Sequence, residues 1–169
     1  MEYTASYMSP LGKILLAGDD MGLTGLWFEG QKYYARGLSP DHEERELPVF
    51  LETRRWLDIY FSGREPDFMP ALHMTGTRFQ KRVWELLLKI PYVEVTTYGR
   101  LAGELAGAMG RDHMSAQAVG GAVGRNPVSV IVPCHRVTGA DGSLTGYAGG
   151  LDKKLRLLQG EGVKEMRLC

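Results

Sequence analysis

The sequence predicts a chain of two parts, an α/β domain over residues 1–70 and a mainly helical domain over residues 71–169. Three observations predict this division. The first 28 residues alternate apolar runs with polar turns, as strands do, whereas apolar residues after residue 77 recur at helical spacing. Residues 63–77 hold two prolines and two glycines without a periodic pattern, which is typical of a linker.

The amino-terminal part is expected to begin with a three-stranded meander. Its strands cover residues 2–8, 13–17 and 23–28, and turns containing Gly12 and Gly22 separate them. Residues 31–37 fit either a short helix or a loop, and the acidic residues 39–46 are expected to form a solvated stretch. Residues 48–62 carry apolar residues at helical spacing and end at Ser-Gly, so they are predicted to form a helix.

The carboxy-terminal part is expected to hold four helices. A first helix runs to about residue 89 with Thr75 or Thr77 as its cap. Two short helices joined by a glycine-containing turn, a pattern typical of a helix-turn-helix, follow it. The small residues of the second of these would allow close approach either to another helix or to a DNA groove. The predicted ranges of these three helices, of a buried strand and of the last helix are 77–89, 98–106, 114–124, 128–132 and 151–159.

Charge is distributed unevenly between the two parts. The net charge of the whole chain is zero, but residues 1–70 hold 7 basic and 12 acidic residues, whereas residues 71–169 hold 13 basic and 8 acidic residues. Net charges of −5 and +5 suggest that only the second part meets a polyanion such as nucleic acid, although chance asymmetry in a short chain gives the same numbers.

The sequence lacks the signs of several other protein classes. No apolar run reaches the roughly 18 residues of a membrane span, so we expect no membrane association and a cytoplasmic location. Two distant cysteines do not make a disulfide framework, and the histidines outside the Cys-His pair have no partner at metal spacing. We therefore expect no metal, and we expect a monomer.

The densest chemical cluster is Pro-Cys-His-Arg-Val at residues 133–137. A thiol with an ordinary pKa of about 8.5 needs a base to become nucleophilic, and His135 can be that base for Cys134. Adjacent side chains on a strand point to opposite faces, so either the strand breaks at Pro133 or a water relays the proton. The alternative is that Cys134 is an inert buried residue and His135 an ordinary core histidine.

The surroundings of this cluster resemble one family. Residues 118–127 read Ala-Val-Gly-Gly-Ala-Val-Gly-Arg-Asn-Pro, residues 145–151 read Thr-Gly-Tyr-Ala-Gly-Gly-Leu, and residues 157–162 read Leu-Leu-Gln-Gly-Glu-Gly. From about residue 77 to residue 162 the sequence resembles the O6-alkylguanine-DNA alkyltransferases, also called methylated-DNA–protein-cysteine methyltransferases. The resemblance implies a ribonuclease H-like α/β amino-terminal domain and a helical winged-helix or helix-turn-helix-like carboxy-terminal domain that binds DNA.

The resemblance also implies an activity, irreversible transfer of the alkyl group from O6 of guanine to a cysteine, without cofactor and without turnover. Whether O4-alkylthymine is accepted stays open. Cys134 corresponds to the acceptor, His135 to its base, Glu161 to the carboxylate that orients the histidine and Asn126 to a hinge residue. Family members with zinc carry its ligands in the amino-terminal domain, where this chain has no cysteine.

The resemblance implies two further groups of residues. The flipped alkylguanine is expected to contact a tyrosine near the phosphate, a carbonyl below the base and groups around O6, which correspond to Tyr98, Val137, Tyr147, the N–H of Ala148 and Lys154. Alkylated double-stranded DNA is expected to bind through its minor groove to residues of the two short helices, which correspond to Gly99, Arg100, Ala116, Gln117, Gly120 and Arg125. Arg136 is expected to be a structural salt-bridge partner.

One position departs from the family pattern. Gln117 occupies the place of the arginine that usually fills the gap left by the flipped nucleotide. Glutamine still forms hydrogen bonds, but it is shorter and uncharged. We therefore expect slower repair of duplex DNA, with the reaction on the free base better preserved.

Four rival functions fit the sequence less well. A damage sensor that binds alkylated DNA without repair would lack the acceptor, whereas Cys134 is present. A redox enzyme would carry a Cys-x-x-Cys motif, which is absent, and a Cys-His hydrolase would leave the helix-turn-helix unexplained. A purely structural DNA-binding module would not require Cys134, His135 and Glu161.

Overall fold

The computed structural model describes residues 1–164 and 167–168. It divides into two compact units, the first made of Met1–Thr75 with Pro127–Ser129 and the second of Gly76–Asn126 with Val130–Cys169. Cys169, whose role the sequence leaves open, lies outside the described residues. No helix among the described residues is both long enough and apolar enough to cross a membrane.

The first unit is built on a four-stranded sheet of order β3-β2-β1-β4. Its strands are β1 (Glu2–Ser9), β2 (Gly12–Asp19), β3 (Gly22–Phe28) and β4 (His42–Glu44). The first three form antiparallel pairs, which confirms the predicted meander, and β4 runs parallel to β1. The acidic residues 41–46 are exposed, which confirms the expected solvated stretch, but the short strand within it was not predicted. Residues 42–44 are exposed but take a strand conformation, because backbone pairing with β1 does not require an apolar pattern.

Helix α1 (Pro48–Phe61) confirms the predicted helix of this unit. Its buried face holds Phe50, Trp56, Leu57 and Tyr60, and proline at its first position suits a helix start because that N–H has no intrahelical acceptor. The rings of Trp56 and Tyr60 are stacked with their centroids 5.2 Å apart. This face supplies much of the apolar core of the first unit.

The predicted buried strand over residues 128–132 is wrong in conformation, although all five residues are buried. Only Val128 forms a bridge, with Leu26 of β3, where the N–H of Leu26 donates to the carbonyl of Pro127 at 2.8 Å. Val130 has a φ of 71°, a left-handed value that a continuous strand excludes. The apolar pattern therefore predicted the burial of residues 128–132 correctly and their backbone conformation incorrectly.

Among its described residues, the second unit contains four α-helices and four two-residue strands, besides a single 3-10 turn. In chain order they are α2 (Arg78–Leu88), β5 (Thr96–Thr97), α3 (Tyr98–Ala108), α4 (Ala116–Gly124), β6 (Val137–Thr138), β7 (Ser143–Leu144), α5 (Leu151–Glu161) and β8 (Arg167–Leu168). Strand β5 pairs in parallel with β6, and β7 pairs in parallel with β8. All four predicted helices are present, with ends shifted by one or two residues.

Side-chain caps fix where three of these helices begin. Thr77 accepts a hydrogen bond from the N–H of Gln80, and the Gln80 side chain accepts one from the N–H of Thr77, a complete capping box. Thr77, not Thr75, is therefore the cap of α2. Thr97 caps α3 and Ser115 caps α4 through one hydrogen bond each, which the side-chain oxygen accepts from the N–H of Arg100 and of Ala118 respectively.

The helices of the second unit bury a shared apolar core. Trp84 of α2 is almost completely buried, and its indole N–H donates to the carbonyl of Ala122 in α4 at 2.9 Å. Leu101 and Leu105 of α3 and Val119 of α4 are buried as well. This packing fixes α3 and α4 relative to the segment that follows α4, where the chemical cluster begins.

Candidate active site

Cys134 lies in a single turn of 3-10 helix, Cys134–Arg136, directly after Pro133. The N–H of Cys134 donates to the carbonyl of Val132 at 2.8 Å, and the N–H of Arg136 donates to the carbonyl of Pro133 at 3.0 Å. The residues before the cysteine do not form a regular strand, and a 3-10 turn begins directly after Pro133, so the irregular backbone at this proline agrees with one of the two geometries that the sequence left open. Side chains one residue apart in a 3-10 turn diverge by about 120°. Cys134, His135 and Arg136 are all buried, and the side chains of His135 and Arg136 both reach Glu161.

Asn126 connects the end of α4 to this turn. Its side-chain amide donates to the carbonyl of Val132 at 2.8 Å, and the residue is buried. Burial raises the pKa of the Cys134 thiol, while a hydrogen bond with Asn126 and the positive charge of Lys154 act in the opposite direction. Because the net shift is upward, the resting cysteine is a neutral thiol and needs a base to lose its proton.

His135 and Glu161 form a fully buried pair. The Nε2 atom of His135 lies 2.6 Å from Oε2 of Glu161, and neither side chain is exposed to solvent. Burial lowers the pKa of His135 although the carboxylate opposes this shift, so the imidazole is neutral near pH 7. The hydrogen bond assigns the proton of the neutral ring to Nε2, which leaves Nδ1 as its basic nitrogen.

Glu161 accepts hydrogen bonds at both carboxylate oxygens. Nε of Arg136 donates to Oε1 at 2.9 Å, and the backbone N–H of Val93 donates to the same oxygen at 3.1 Å. Burial alone would raise the pKa of Glu161, but the hydrogen bonds from His135 and Arg136 and the positive charge of Arg136 outweigh burial and lower it to about 2. The carboxylate is therefore ionised throughout the physiological range. The predicted structural salt bridge of Arg136 is confirmed, with Glu161 as its partner.

Lys154 of α5 is also fully buried. Its ammonium group donates to the carbonyls of Val137, Thr145 and Gly146 at 2.6, 3.1 and 3.1 Å. Burial lowers the pKa of Lys154 to about 8, against the opposing effect of Cys134. Lys154 thus attaches the glycine-rich loop before α5 to the residue that follows the 3-10 turn.

Two aromatic residues border this arrangement. The hydroxyl group of Tyr98, at the start of α3, donates to the carbonyl of Thr145 at 3.1 Å. Burial, followed by the effect of Cys134, raises the pKa of Tyr98. The ring of Tyr147 lies edge-on to His135 with centroids 6.5 Å apart, and Ala148 next to it is half-buried. Both rings therefore lie close to the Cys-His turn.

The predicted DNA contacts are distributed over α3, α4 and the residue that ends α4. Those that are exposed are Gly99, Arg100, Ala116 and Gln117, and those that are half-buried are Gly120 and Arg125. Arg100 forms an exposed ion pair with Glu104 at 3.6 Å, and Nη1 of Arg125 donates back to the carbonyl of Gly121 at 3.0 Å. An added Cβ at Gly120 would lie 3.7 Å from the ring of Tyr98. The small residue thus brings α4 close to the start of α3.

Sequence reasoning missed two contributors, Val93 and the carbonyl of Thr145. Both act through backbone atoms, which leave no side-chain pattern in a sequence. Among residues 1–164 and 167–168, no group of three or more histidine, cysteine, aspartate and glutamate side chains could hold a metal ion.

Comparison with known proteins places this site in a family. The family model described as 6-O-methylguanine DNA methyltransferase, DNA binding domain, matches residues 78–163. The model described as 6-O-methylguanine DNA methyltransferase, ribonuclease-like domain, matches residues 3–72. The chain belongs to the 6-O-methylguanine DNA methyltransferase family. The predicted fold class, a ribonuclease-like α/β part and a DNA-binding helical part, is confirmed.

Members of the methyltransferase family match over nearly the whole chain. A methylated-DNA–protein-cysteine methyltransferase of Methanosarcina acetivorans is 45% identical over 95% of this chain and 98% of its own length. The protein of the same name from Mycobacterium leprae is 45% identical over 94% of this chain and 92% of its own. A crystal structure of Mycobacterium tuberculosis OGT in complex with DNA superimposes with a TM-score of 0.79 at 40% identity, covering 94% of this chain and 92% of that one.

Proposed function

We propose that this chain repairs DNA by direct reversal, transferring the alkyl group of O6-alkylguanine to the sulfur of Cys134. The observation that carries the proposal is a buried thiol next to a histidine whose ring is hydrogen-bonded to an ionised carboxylate, in a chain 45% identical to named methyltransferases. In enzyme terms it is a methylated-DNA–protein-cysteine S-methyltransferase that acts once.

The proposed chemistry is one displacement at the alkyl carbon. His135 takes the proton of the Cys134 thiol through a water, and Glu161 stabilises the imidazolium that forms. The thiolate forms a sulfur–carbon bond while the bond from that carbon to O6 breaks, and its electron pair goes to the guanine. The guanine regains one proton, so the net reaction converts thiol and alkylguanine into thioether and guanine. A thioether has no route back to a thiol here, so each chain reacts once and needs no cofactor.

Tyr147, the N–H of Ala148 and Lys154 are proposed to stabilise the negative charge that develops on the leaving guanine. The carbonyl of Val137 accepts from Lys154, and its second lone pair can accept from the guanine amino group. Asn126 keeps Cys134 in register with the end of α4. The positions of these groups support the proposed roles, because each group lies in or beside the Cys-His turn.

DNA binding is proposed to use α4 as the recognition helix in the minor groove, with Gly99, Arg100, Ala116, Gln117, Gly120 and Arg125 as contacts. A base inside a duplex is out of reach of a buried thiol, so the alkylated nucleotide must be flipped out, and Tyr98 is proposed to contact it. Minor-groove readout is degenerate, which suits repair with little sequence preference. Residues 71–169 are proposed to form the DNA-binding and acceptor domain and residues 1–70 a ribonuclease H-like domain.

We propose that the chain acts as a monomer in the cytoplasm. The acceptor must be a reduced thiol, and the reducing cytoplasm supplies that condition. The alternative function, a sensor that binds alkylated DNA without repair, is not favoured because Cys134 is present and its His135–Glu161 pair is assembled.

A stoichiometry experiment tests the proposal. The protein is titrated into a duplex with a single O6-methylguanine, and both bound duplex and restored guanine are counted. We expect one guanine restored per chain and no more at any incubation time. Binding of the damaged duplex without restored guanine would support the sensor, and several guanines per chain would contradict acceptor chemistry. The Cys134→Ala variant, which keeps the DNA surface, is the matched control.

A further inference from the structure

The turn over residues 90–93, between α2 and β5, encloses the Arg136–Glu161 pair on two sides. At one end, Nη1 of Arg136 donates to the carbonyl of Ile90 at 2.7 Å. At the other end, the N–H of Val93 donates to Oε1 of Glu161 at 3.1 Å. Between them, the guanidinium of Arg136 lies over the ring of Tyr92 at 5.7 Å. The turn therefore contacts both members of the ion pair, Arg136 through Ile90 and Tyr92, and Glu161 through Val93.

Val93 adopts a conformation that valine normally avoids. Its φ is 74°, in the left-handed region, where a β-branched side chain is a genuine outlier. Its side chain is 44% exposed, so burial of the valine does not account for the conformation. A strained backbone conformation persists only where contacts with the surrounding structure compensate for its cost. The contact that does so here is the hydrogen bond from the N–H of Val93 to a buried, ionised carboxylate.

We propose that the turn over residues 90–93 is a positioning element of the alkyl transfer: the backbone N–H of Val93, together with Arg136, fixes Glu161 against His135. This inference rests on the function proposed above. Val93 acts through Glu161, to which its N–H donates, so its role is positioning and not chemical. A carboxylate that is held at Oε1 by two donors directs Oε2 at the histidine. The valine side chain contributes nothing to this role, and its backbone strain is a cost.

The three donors also divide the negative charge of Glu161. Removing the Val93 N–H leaves more of that charge to the hydrogen bond with His135, which raises the pKa of the histidine. The charged groups that face His135 are Glu161, Arg136 and Lys154, and Arg136 and Lys154 both oppose its protonation. Loss of the Val93 donor is therefore expected to move the acid limb of the pH–rate profile to higher pH.

A backbone substitution isolates the hydrogen bond. Incorporation of the α-hydroxy analogue of valine at position 93 replaces the N–H by an ester oxygen and keeps the side chain. The matched control is an ester at position 94, because the N–H of Glu94 donates to the carbonyl of Pro91 at 3.1 Å within the same turn and not to Glu161. Single-turnover alkyl transfer from duplex DNA is then measured from pH 5 to pH 9.

We expect the ester at position 93 to slow transfer about tenfold, the low end of a hydrogen bond to a charged group, and to shift the acid limb upward. The ester at position 94 is expected to stay within about twofold of wild type, since one neutral turn hydrogen bond contributes little. Equal rates for wild type and the position 93 ester would overturn the inference. The inference would also be overturned if both esters slowed transfer equally and the acid limb of the pH–rate profile did not shift. That result would indicate that the whole turn had become less rigid.

The variant Val93→Gly tests the strain independently. Glycine keeps the N–H and accepts the left-handed φ, so we expect a transfer rate within about twofold of wild type and a Tm higher by roughly 2–4 °C. A lower Tm or a tenfold slower rate would contradict the assignment of strain to the valine. If wild type itself gave no alkylated Cys134, the proposed function would fail. The positioning role would still be read from the NMR resonance of the His135 Nε2 proton, which is expected to move in the position 93 ester and not in the position 94 ester.

Discussion

Replacement of Glu161 by glutamine tests the buried network most sharply, because it changes one atom of a side chain that has no solvent exposure. The carboxylate accepts at both oxygens, from His135 on one side and from Arg136 and Val93 on the other. Glutamine has one acceptor oxygen and one NH₂ group. If the amide NH₂ faces Arg136 and Val93, donors face donors; if it faces His135, the ring must carry its proton on Nδ1 and loses its basic nitrogen there. In both orientations the positive charge of Arg136 loses its ionised partner.

The size of the effect follows from the pKa of Glu161. Its value of about 2, against an ordinary value of 4.5, means that folding favours the ionised form. At about 1.4 kcal/mol per pKa unit, the ionised form contributes about 3 kcal/mol to stability near pH 7. Glutamine loses about that amount, which is roughly 6–12 °C in Tm for a chain of this size. Since the pKa is lowered in the folded state, the contribution is complete above the unfolded pKa and declines as the pH falls toward 2.

The assay is thermal unfolding of wild type and Glu161→Gln at pH 7.5 and pH 3.5. The difference in stability is expected to narrow to about 2 kcal/mol at pH 3.5, because the wild-type carboxylate is then mostly protonated in the unfolded chain and still ionised in the folded chain. Glu104→Gln is the matched control, since Glu104 is half-exposed and its ion pair with Arg100 is expected to contribute less than about 1 kcal/mol. Equal Tm values at pH 7.5, or a difference that does not change with pH, would refute the reasoning.

Three other predictions concern the site and the helix that supports it. Gln117→Arg is expected to accelerate transfer from duplex DNA several-fold, because arginine fills the gap that the flipped nucleotide leaves in the duplex, and to leave transfer from free O6-benzylguanine unchanged. Rates measured side by side on both substrates check this, and no gain on duplex DNA would contradict it. Lys154→Met is expected to raise the pKa of Cys134 and slow transfer at least tenfold, which the alkaline limb of the rate profile reports. Thr77→Ala removes the cap of α2 and is expected to cost about 1 kcal/mol in urea unfolding without changing the transfer rate, with Thr75→Ala, which leaves the cap in place, as its control.

The periodic elements could be predicted from the sequence because their patterns have a direct physical cause. The strands of the meander and the helices α1, α2, α3, α4 and α5 all follow from apolar spacing and caps. The run over residues 128–132 was predicted as a strand, and this was wrong because an apolar, β-branched run reports burial and not the sign of φ at Val130. Strand β4 was missed because its pairing with β1 uses only backbone groups.

Some features of the candidate site could likewise be predicted from the sequence, and others could not. The sequence makes Cys134 and His135 conspicuous as neighbours, but the partnership of His135 with Glu161, 26 residues later, came from the resemblance to a family and not from spacing. The irregular backbone at Pro133 could be seen only in coordinates, and the water relay between Cys134 and His135 stays a proposal. Val93 could not be predicted, because a backbone donor in a strained turn has no side-chain signature.

The central claim is that Cys134 receives the alkyl group, and mass spectrometry tests it most directly. The protein is mixed with a duplex containing O6-methylguanine and separately with free O6-benzylguanine, and the intact mass and the Cys134-containing peptide are measured. We predict one methyl or one benzyl adduct per chain, located on the sulfur of Cys134 and absent from Cys134→Ala. An unmodified Cys134 after full repair of the duplex, or an adduct that persists in Cys134→Ala, would contradict the account.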